Sequence, residues 1–282
     1  MADRVKLALF GLHRGSSVDP DVLVRRARAA EDAGFEALWV GDHIALPASD
    51  EAAEQPRLEA LIALTYLAAV TARVRLGVGV IVLPQRQPVL LAKQLTSIDV
   101  LSGGRLTVGI GVGYVEPELH ALGTSLADRS ARTDEFLAAM RSLWSEPAPA
   151  FAGRHVSFAD VVQRPLPAQR PHPPIVVGGH SPAAFRRAVR SGNGWYGWRL
   201  DLEETRRALA DLRETAARGD RPAELGELEI TITPPRALDL DTALRYAELG
   251  VHRLAVQPET MEGAAIGELI ATTGEGLIGR LG

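Results

Sequence analysis

Apolar residues in this chain switch repeatedly between two spacings. Short unbroken or alternating runs bounded by glycine or proline read as strands. Longer stretches with apolar residues three and four apart read as amphipathic helices. VKLALFG (Val5–Gly11) is the first strand. Pro20–Ala33 follows as a helix, with Leu23, Ala27 and Ala30 in register, Asp19 as cap before Pro20 and Gly34 as terminator. ALWVGDH (Ala37–His43) is the second strand, and a polar loop leads to a helix around Leu58–Ala72. VRLGVGVIVL is the third strand. The helix after Pro88 lines up Leu91, Leu95 and Ile98 and stops at Ser102-Gly103-Gly104. RLTVGIGV is the fourth strand, and Arg129–Trp144 its helix, with Phe136, Met140 and Leu143 on the apolar face.

Ser145–Pro174 breaks the rhythm. It is rich in proline and contains a hairpin candidate, FAGRHVSF, so it reads as an excursion (145–174) within one domain spanning 1–282. The alternation then resumes. PIVVGG is strand five, Ser181–Arg190 a helix, and GWYGW the short, aromatic strand six. Leu202–Ala217 is a helix, LEITIT strand seven, Asp241–Leu249 a helix stopped by Gly250, and RLAVQP strand eight. A last helical stretch follows Pro258. Strands alternating with helices imply a parallel sheet. Eight such repeats in about 250 residues fit a closed (β/α)8 TIM barrel, of class α/β, better than an open sheet.

Composition narrows the partners. The formal net charge of −4 argues against a general nucleic-acid binder. No apolar run reaches the roughly 20 residues that span a bilayer. The basic start of MADRVKLALFG precedes too short an apolar run for a leader peptide. With no cysteine, disulfides, thiolate metal sites and cysteine nucleophiles are excluded together, which fits a cytoplasmic protein.

In such a barrel the chemistry lies at the C-terminal ends of the strands. Those ends collect glycine and polar residues: Gly11-Leu12-His13, Gly41-Asp42-His43, Val82-Leu83-Pro84, Val112-Gly113-Tyr114, Gly178-Gly179-His180, Trp198-Arg199, Thr233-Pro234 and Gln257-Pro258. IVVGGHSP runs from a strand through two glycines into a helix with Ser181 as cap and Pro182 in its first turn. It reads either as an anion site of phosphate type or as a tight turn with nothing bound. Asp42 and His43 read as a polar contact to a ligand ring and a proton donor or acceptor, or else as loop-fixing groups. GIGVGY is a weak dinucleotide fingerprint, since no helix opens directly on it. Trp195, Tyr196 and Trp198 read as core before substrate wall. His13, His120, His155, His172 and His252 lack metal-ligand spacing, and there is no G-x-S-x-G elbow. GVGVIVLPQRQP poses its own question, because glycine weakens a strand unless a bulge or a close approach requires it. A flat cofactor lying against Gly77–Val80 is the expected reason.

The segments GFEALWVGDH, LGVGVIVLPQRQPVLLAKQLTSIDVLSGGRLTVGIGVGY and RPHPPIVVGGHSP resemble the luciferase-like flavin and deazaflavin oxidoreductases, most closely the branch that uses coenzyme F420. The resemblance implies a TIM barrel with a bulge in its third strand, and a cis peptide at Gly79-Val80 backing the cofactor ring. It implies ring contacts from Asp42 and from the Val112-Gly113 backbone, and phosphate contacts from Gly178, Gly179, His180 and Ser181. It places His43 near the reactive carbon. Arg14, Arg86 and Arg199 follow strand ends where they would meet an acidic cofactor tail. Val115 departs from the polar residue common in relatives, leaving Glu116 as the expected nearby carboxylate. The expected function is hydride transfer between F420 and an organic substrate. An FMN-dependent luciferase-like monooxygenase and a non-catalytic flavin-binding barrel are the alternatives. The expected partner is a small-molecule substrate, with no metal, nucleic acid or membrane. A second copy in a homodimer is an arrangement the sequence leaves open.

Overall fold

The computed structural model describes residues 5–219 and 221–281; the basic start of the chain lies outside them. Eight parallel strand positions close on themselves. They are β1 (Lys6–Phe10), β2 (Ala37–Val40), a third strand in two pieces, β3 (Arg75–Val78) and β4 (Ile81–Val82), then β5 (Leu106–Gly111), β8 (Ile175–Gly178), β9 (Gly194–Trp198), β10 (Glu229–Thr233) and β11 (Arg253–Val256). Each pairs with its neighbour in chain order. β11 pairs with β1, and β3 with β5, so the sheet has no long free edge. The excursion contributes the small antiparallel hairpin β6 (Phe151–Ala152) and β7 (Ser157–Phe158). Among the described residues no helix is long and apolar enough to cross a membrane.

Strand alternation sorts the core into two layers. Leu7 and Leu9, Leu38 and Val40, Ile175 and Val177, and Leu254 and Val256 face outward into one cluster shared with the helices. Ala8 and Phe10, Ala37 and Trp39, Val176, Tyr196 and Ala255 face inward and fill the barrel. The aromatic strand therefore divides its two buried rings. Trp195 packs outward on Phe185 at 5.7 Å between ring centres, while Tyr196 packs inward on Trp39 at 5.2 Å. At the opposite, N-terminal end the interior is closed by Arg253, which is almost fully buried. Its guanidinium is held by Glu36 at 2.8 and 2.9 Å and by Glu229 at 3.0 Å, and its Cζ lies 5.9 Å from the Trp39 ring centre.

The third strand departs from a single continuous run. Gly77 pairs with Thr107 and Ile81 with Ile110, so β3 and β4 use four steps where β5 uses three. That is a bulge of one residue, and the Gly79-Val80 peptide within it is cis. The two glycines answer to the Trp39 indole. A Cβ at Gly77 would stand 2.4 Å from Trp39 Nε1, and one at Gly79 2.8 Å from Trp39 Cε3. The close approach that accounts for both glycines within the chain is to Trp39. The bulge also turns Val80 over the neighbouring strands. Any side chain on Gly111 or Gly178 would come within 2.5 or 2.8 Å of the Val80 methyls, and one on Gly109 would strike the Val78 carbonyl at 1.9 Å.

The helices fall close to their sequence positions, each with a reason. α1 (Pro20–Asp32) is capped by Asp19, whose carboxylate accepts from Val22 N–H at 2.9 Å. α2 (Ala60–Val70) is shorter than Leu58–Ala72, because the Glu59 carboxylate caps it from outside the first turn. α3 (Pro88–Leu101) and α5 (Arg129–Ser145) follow β4 and β5. Between β5 and α5 lies α4 (Glu116–Ala121), which is too short to show a period and was not expected. α6 (Pro182–Ser191), α7 (Leu202–Arg218) and α8 (Leu240–Glu248) complete the ring, and α9 (Ala265–Gly276) packs against α1.

If Trp39 is the reason for Gly77, Gly77→Ala should cost about 1–3 kcal/mol, the usual penalty of an overfilled core. In a Trp39→Leu background the same change should cost under about 1 kcal/mol. Urea unfolding of the four proteins measures the coupling; equal costs in both backgrounds would place the constraint elsewhere.

Candidate active site

At the C-terminal end of the barrel Val80 tops the inner layer, beside Trp39 and Tyr196. Phe10 packs against Trp198 with the rings tilted, at 5.1 Å between ring centres, and Trp198 is partly exposed. Tyr196 is closed off, its hydroxyl bonded to Thr233 Oγ1 at 2.6 Å. Of the three aromatic residues in β9, then, only Trp198 reaches the mouth.

His43 stands at this rim with a quarter of its side chain exposed. Its Nδ1 lies 3.0 Å from Glu118 Oε2, and its ring meets the exposed Tyr114 ring edge-on at 6.0 Å. The other carboxylate oxygen of Glu118 accepts from the N–H groups of Ile44 at 2.6 Å and Ala45 at 3.1 Å. Burial pushes the Glu118 pKa up, but the His43 bond and the two backbone donors outweigh it and hold the acid below its usual value. An ionised carboxylate only accepts. The Nδ1 of His43 must therefore donate, which leaves Nε2 as the nitrogen that can take or give a proton. Glu116, the carboxylate expected here, is exposed and faces His120 at 3.8 Å. The acid that meets His43 is Glu118, two residues on. The signal available in sequence was the pattern E-P-E-L-H after a glycine-rich strand end, which marks a one-turn helix start without saying which acid turns inward.

Asp42 is fully covered instead of presenting a free carboxylate. Its oxygens accept from Val82 N–H at 3.1 Å, from Arg86 Nε at 3.1 Å, and from Arg86 Nη2. Arg86 Nη2 also donates to Glu59 Oε1 at 2.6 Å. Burial pushes the Asp42 pKa up and these donors oppose it. The side chain so engaged fixes the end of the third strand to the second. Arg86 is likewise committed, and of the three arginines expected to meet a cofactor tail only Arg199 is exposed without an ion-pair partner among the described residues.

The opposite side of the mouth carries the glycine loop. Gly178 is buried under Val80, whereas Gly179, His180 and Ser181 are exposed. Gly179 has φ +117°, a conformation that side chains strain to adopt. Ser181 caps α6, its Oγ accepting from Ala184 N–H at 3.2 Å. Pro182 offers no N–H, so Ala183 presents the unpaired donor of the first turn. His180 Nε2 accepts from Trp198 N–H at 3.2 Å, and burial lowers its pKa, so the ring stays neutral while it ties the loop to β9. Val112 and Gly113 are half-buried at the end of β5, with Gly113 against Val82. The predicted residues thus gather on one face, with the loop after β8 on one side and the Asp42-His43 loop across from it. Among the described residues no group of three or more histidine, aspartate or glutamate side chains could hold a metal ion.

Residues 6–265 match the family model described as luciferase-like monooxygenase. An uncharacterised protein of Mycobacterium tuberculosis is 32% identical over 261 residues, covering 87% of this chain and 88% of that protein. The FMNH2-dependent dimethylsulfone monooxygenase of Pseudomonas putida is 30% identical over 223 residues, 78% of this chain and 60% of that one. Among solved structures, an F420-dependent secondary alcohol dehydrogenase in complex with an F420–acetone adduct shares the fold at a TM-score of 0.80. Its sequence is 16% identical, and the match covers 98% of both chains. With nearly its whole length matched and its eight strands closed as a barrel, this chain belongs to the luciferase-like monooxygenase family.

Proposed function

We propose that this protein is an oxidoreductase that binds coenzyme F420 across the barrel mouth and exchanges a hydride between it and a small organic substrate. The observation that carries the reading is the facing pair of features on one rim: an exposed glycine loop opening a helix, and a histidine oriented by a buried carboxylate. The residues present fit the cofactor. Gly179 and the first turn of α6 offer backbone donors and a helix dipole to a phosphate. Val80, held up by Gly111 and Gly178, gives an apolar support for a flat ring. Arg199 stands free for an acidic tail, a feature that separates F420 from FMN. The resemblance of the third- and fourth-strand segments supports the same choice. When bound, the deazaflavin supplies the hydride chemistry.

The chain's own part is orientation and proton handling. Moving a hydride to one atom of a polar double bond requires a proton at the other. His43 is placed to hold that proton at Nε2, delivering it in reduction and accepting it in oxidation. Glu118 fixes the tautomer and steadies the imidazolium. A second reading, an FMN-dependent monooxygenase, is favoured by the 30% identity to the dimethylsulfone enzyme. It keeps the same phosphate loop and the same histidine but has no use for a cation at the tail.

Four outcomes test this reading. Oxidised F420 should bind more tightly than FMN, with an affinity that weakens as salt rises because exposed arginine holds the tail. Fluorescence titration at two salt concentrations decides it, and FMN that co-purifies and resists displacement by F420 would select the monooxygenase. Gly179→Asp should weaken either cofactor roughly thirtyfold or more. Like charges about 4 Å apart cost about 4 kcal/mol at an effective dielectric of 20, and solvent removes about half of that. An unchanged affinity would remove the phosphate from this loop. His43→Ala should lower turnover about a hundredfold or more with cofactor affinity retained. Glu118→Gln should give a smaller loss of turnover, again with cofactor affinity retained, since His43 Nδ1 loses its charged acceptor. Single-turnover hydride transfer that survives both changes would return the pair to a structural role.

A further inference from the structure

The side of the mouth between the end of β1 and the loop after β2 holds two arginines that form no ion pair among the described residues. Arg14 and Arg57 lie opposite each other in a backbone bridge, reinforced by Gly15 N–H to the Pro56 carbonyl at 2.9 Å and Leu58 N–H to the His13 carbonyl at 2.7 Å. Three other arginines with little exposure each have an acid: Arg86 has Asp42 and Glu59, Arg187 has Asp134, and Arg253 has Glu36 and Glu229. Arg141 on α5 also keeps a buried Nε without a partner, so it is the pairing of two such cations beside His13 that sets this place apart. Arg14 donates only to Gln257 Oε1 at 2.9 Å, and its Nε is buried with no partner. Arg57 donates to the Ala52 carbonyl at 2.5 Å. Among the described residues no carboxylate stands within 4 Å of either guanidinium; Asp50 and Glu118 act on Arg57 from farther off.

His13 supplies an independent sign. It is almost fully buried beside both arginines, and its Nε2 accepts from Gly41 N–H at 3.2 Å. Nδ1 therefore carries the proton, and it too is buried without a partner. Burial, then Arg14 and Arg57, drive its pKa down to about 3, so it stays a neutral donor. Burial and the neighbouring Arg57 also bring Arg14 down to about 10. Two adjacent cations with unmet donors around them are unfavourable unless an anion joins them. The anion is not the cofactor phosphate, because β1 and β8 lie on opposite sides of the closed barrel. Beside the pair, Arg14 lies over the Phe10 ring at 5.6 Å, and Trp198 and Tyr114 are exposed nearby on the mouth.

We propose that Arg14 and Arg57 form the substrate's anion subsite and hold the carboxylate of a small, ring-bearing organic acid whose reacting atoms then lie beside His43. This rests on the reading above that the barrel mouth is a substrate site, and it reassigns Arg14 from the cofactor tail to the substrate. A planar guanidinium pair suits a planar carboxylate, which each arginine can grip with two parallel bonds. The aromatic rim suits the ring.

Benzoate and its neutral isostere benzamide are the probes, titrated calorimetrically into the purified protein without cofactor. Benzoate should bind at least tenfold more tightly than benzamide. Arg57→Gln and Arg14→Gln should each erase that preference, Arg57→Lys should keep part of it, and Arg207→Gln on the outer helix α7 should keep all of it. F420 and FMN titrated into the same variants should bind within twofold of the parent. The Lys variant and matched thermal midpoints guard against misfolding. A preference that is absent in the parent, or that survives Arg57→Gln, overturns the subsite. So does cofactor affinity that falls in step with it, which would make the pair a tail clamp. If neither cofactor binds while the benzoate preference stands, the cofactor reading fails and the anion subsite does not.

Discussion

Trp39 decides much of the upper half of this barrel. Eight strands leave an interior that side chains must fill, and this chain fills it with one indole from β2 packed on Tyr196 and over Arg253. So large a ring leaves no room for a Cβ on the adjoining strand, and Gly77 and Gly79 follow. The one-residue bulge then sets Val80 across the tops of β5 and β8, and glycine follows again at 111 and 178. Four glycines from three separate motifs are thus a single packing solution, and its outcome is a smooth apolar ledge at the place where strand ends converge.

The charged groups divide by their distance from that ledge. At the far end Arg253 is saturated by Glu36, Glu229 and Thr231, which closes the interior to water. Just under the rim Asp42, Arg86 and Glu59 form a second saturated set, tying the strand ends together so that the loops above start from fixed points. On the rim itself the groups are left incomplete: His43 with one free nitrogen, Arg14 and Arg57 with no acid, His13 with an unpaired donor. Arg86 and Arg253 find acids within the chain, whereas Arg14 and Arg57 are the pair proposed to be completed by a ligand.

Glu118 comes from a short loop element and not from a barrel strand. α4 is one and a half turns long, yet it lowers a carboxylate onto the Asp42-His43 loop and fixes both its backbone and its imidazole. A neutral glutamine there would keep much of the packing and lose the anion that the imidazolium needs. The acid thus joins the strand-two loop to the loop after β5.

The order of strands and helices was legible in the chain because each element carries its own period and its own punctuation. Asp19 before Pro20, Ser181 before Pro182 and Gly34 after Ala33 act within a few residues and behave in the fold as they read. The excursion's hairpin, the bulge implied by the resemblance and the gathering of strand ends were legible for the same reason, since all follow from local pattern and barrel topology. What sequence could not assign was the partner of each group. Gly77 and Gly79 read as room for a ligand, but the ring that needs the room is Trp39, nearly forty residues away. Asp42 and Arg86 read as two free site residues and are partners of each other, while Glu116 and Glu118 are told apart only by which one the short helix turns inward. Local propensities fix the elements; only closure of the barrel decides which side chains meet, because contacts between residues far apart in the chain are set by packing and charge pairing in three dimensions.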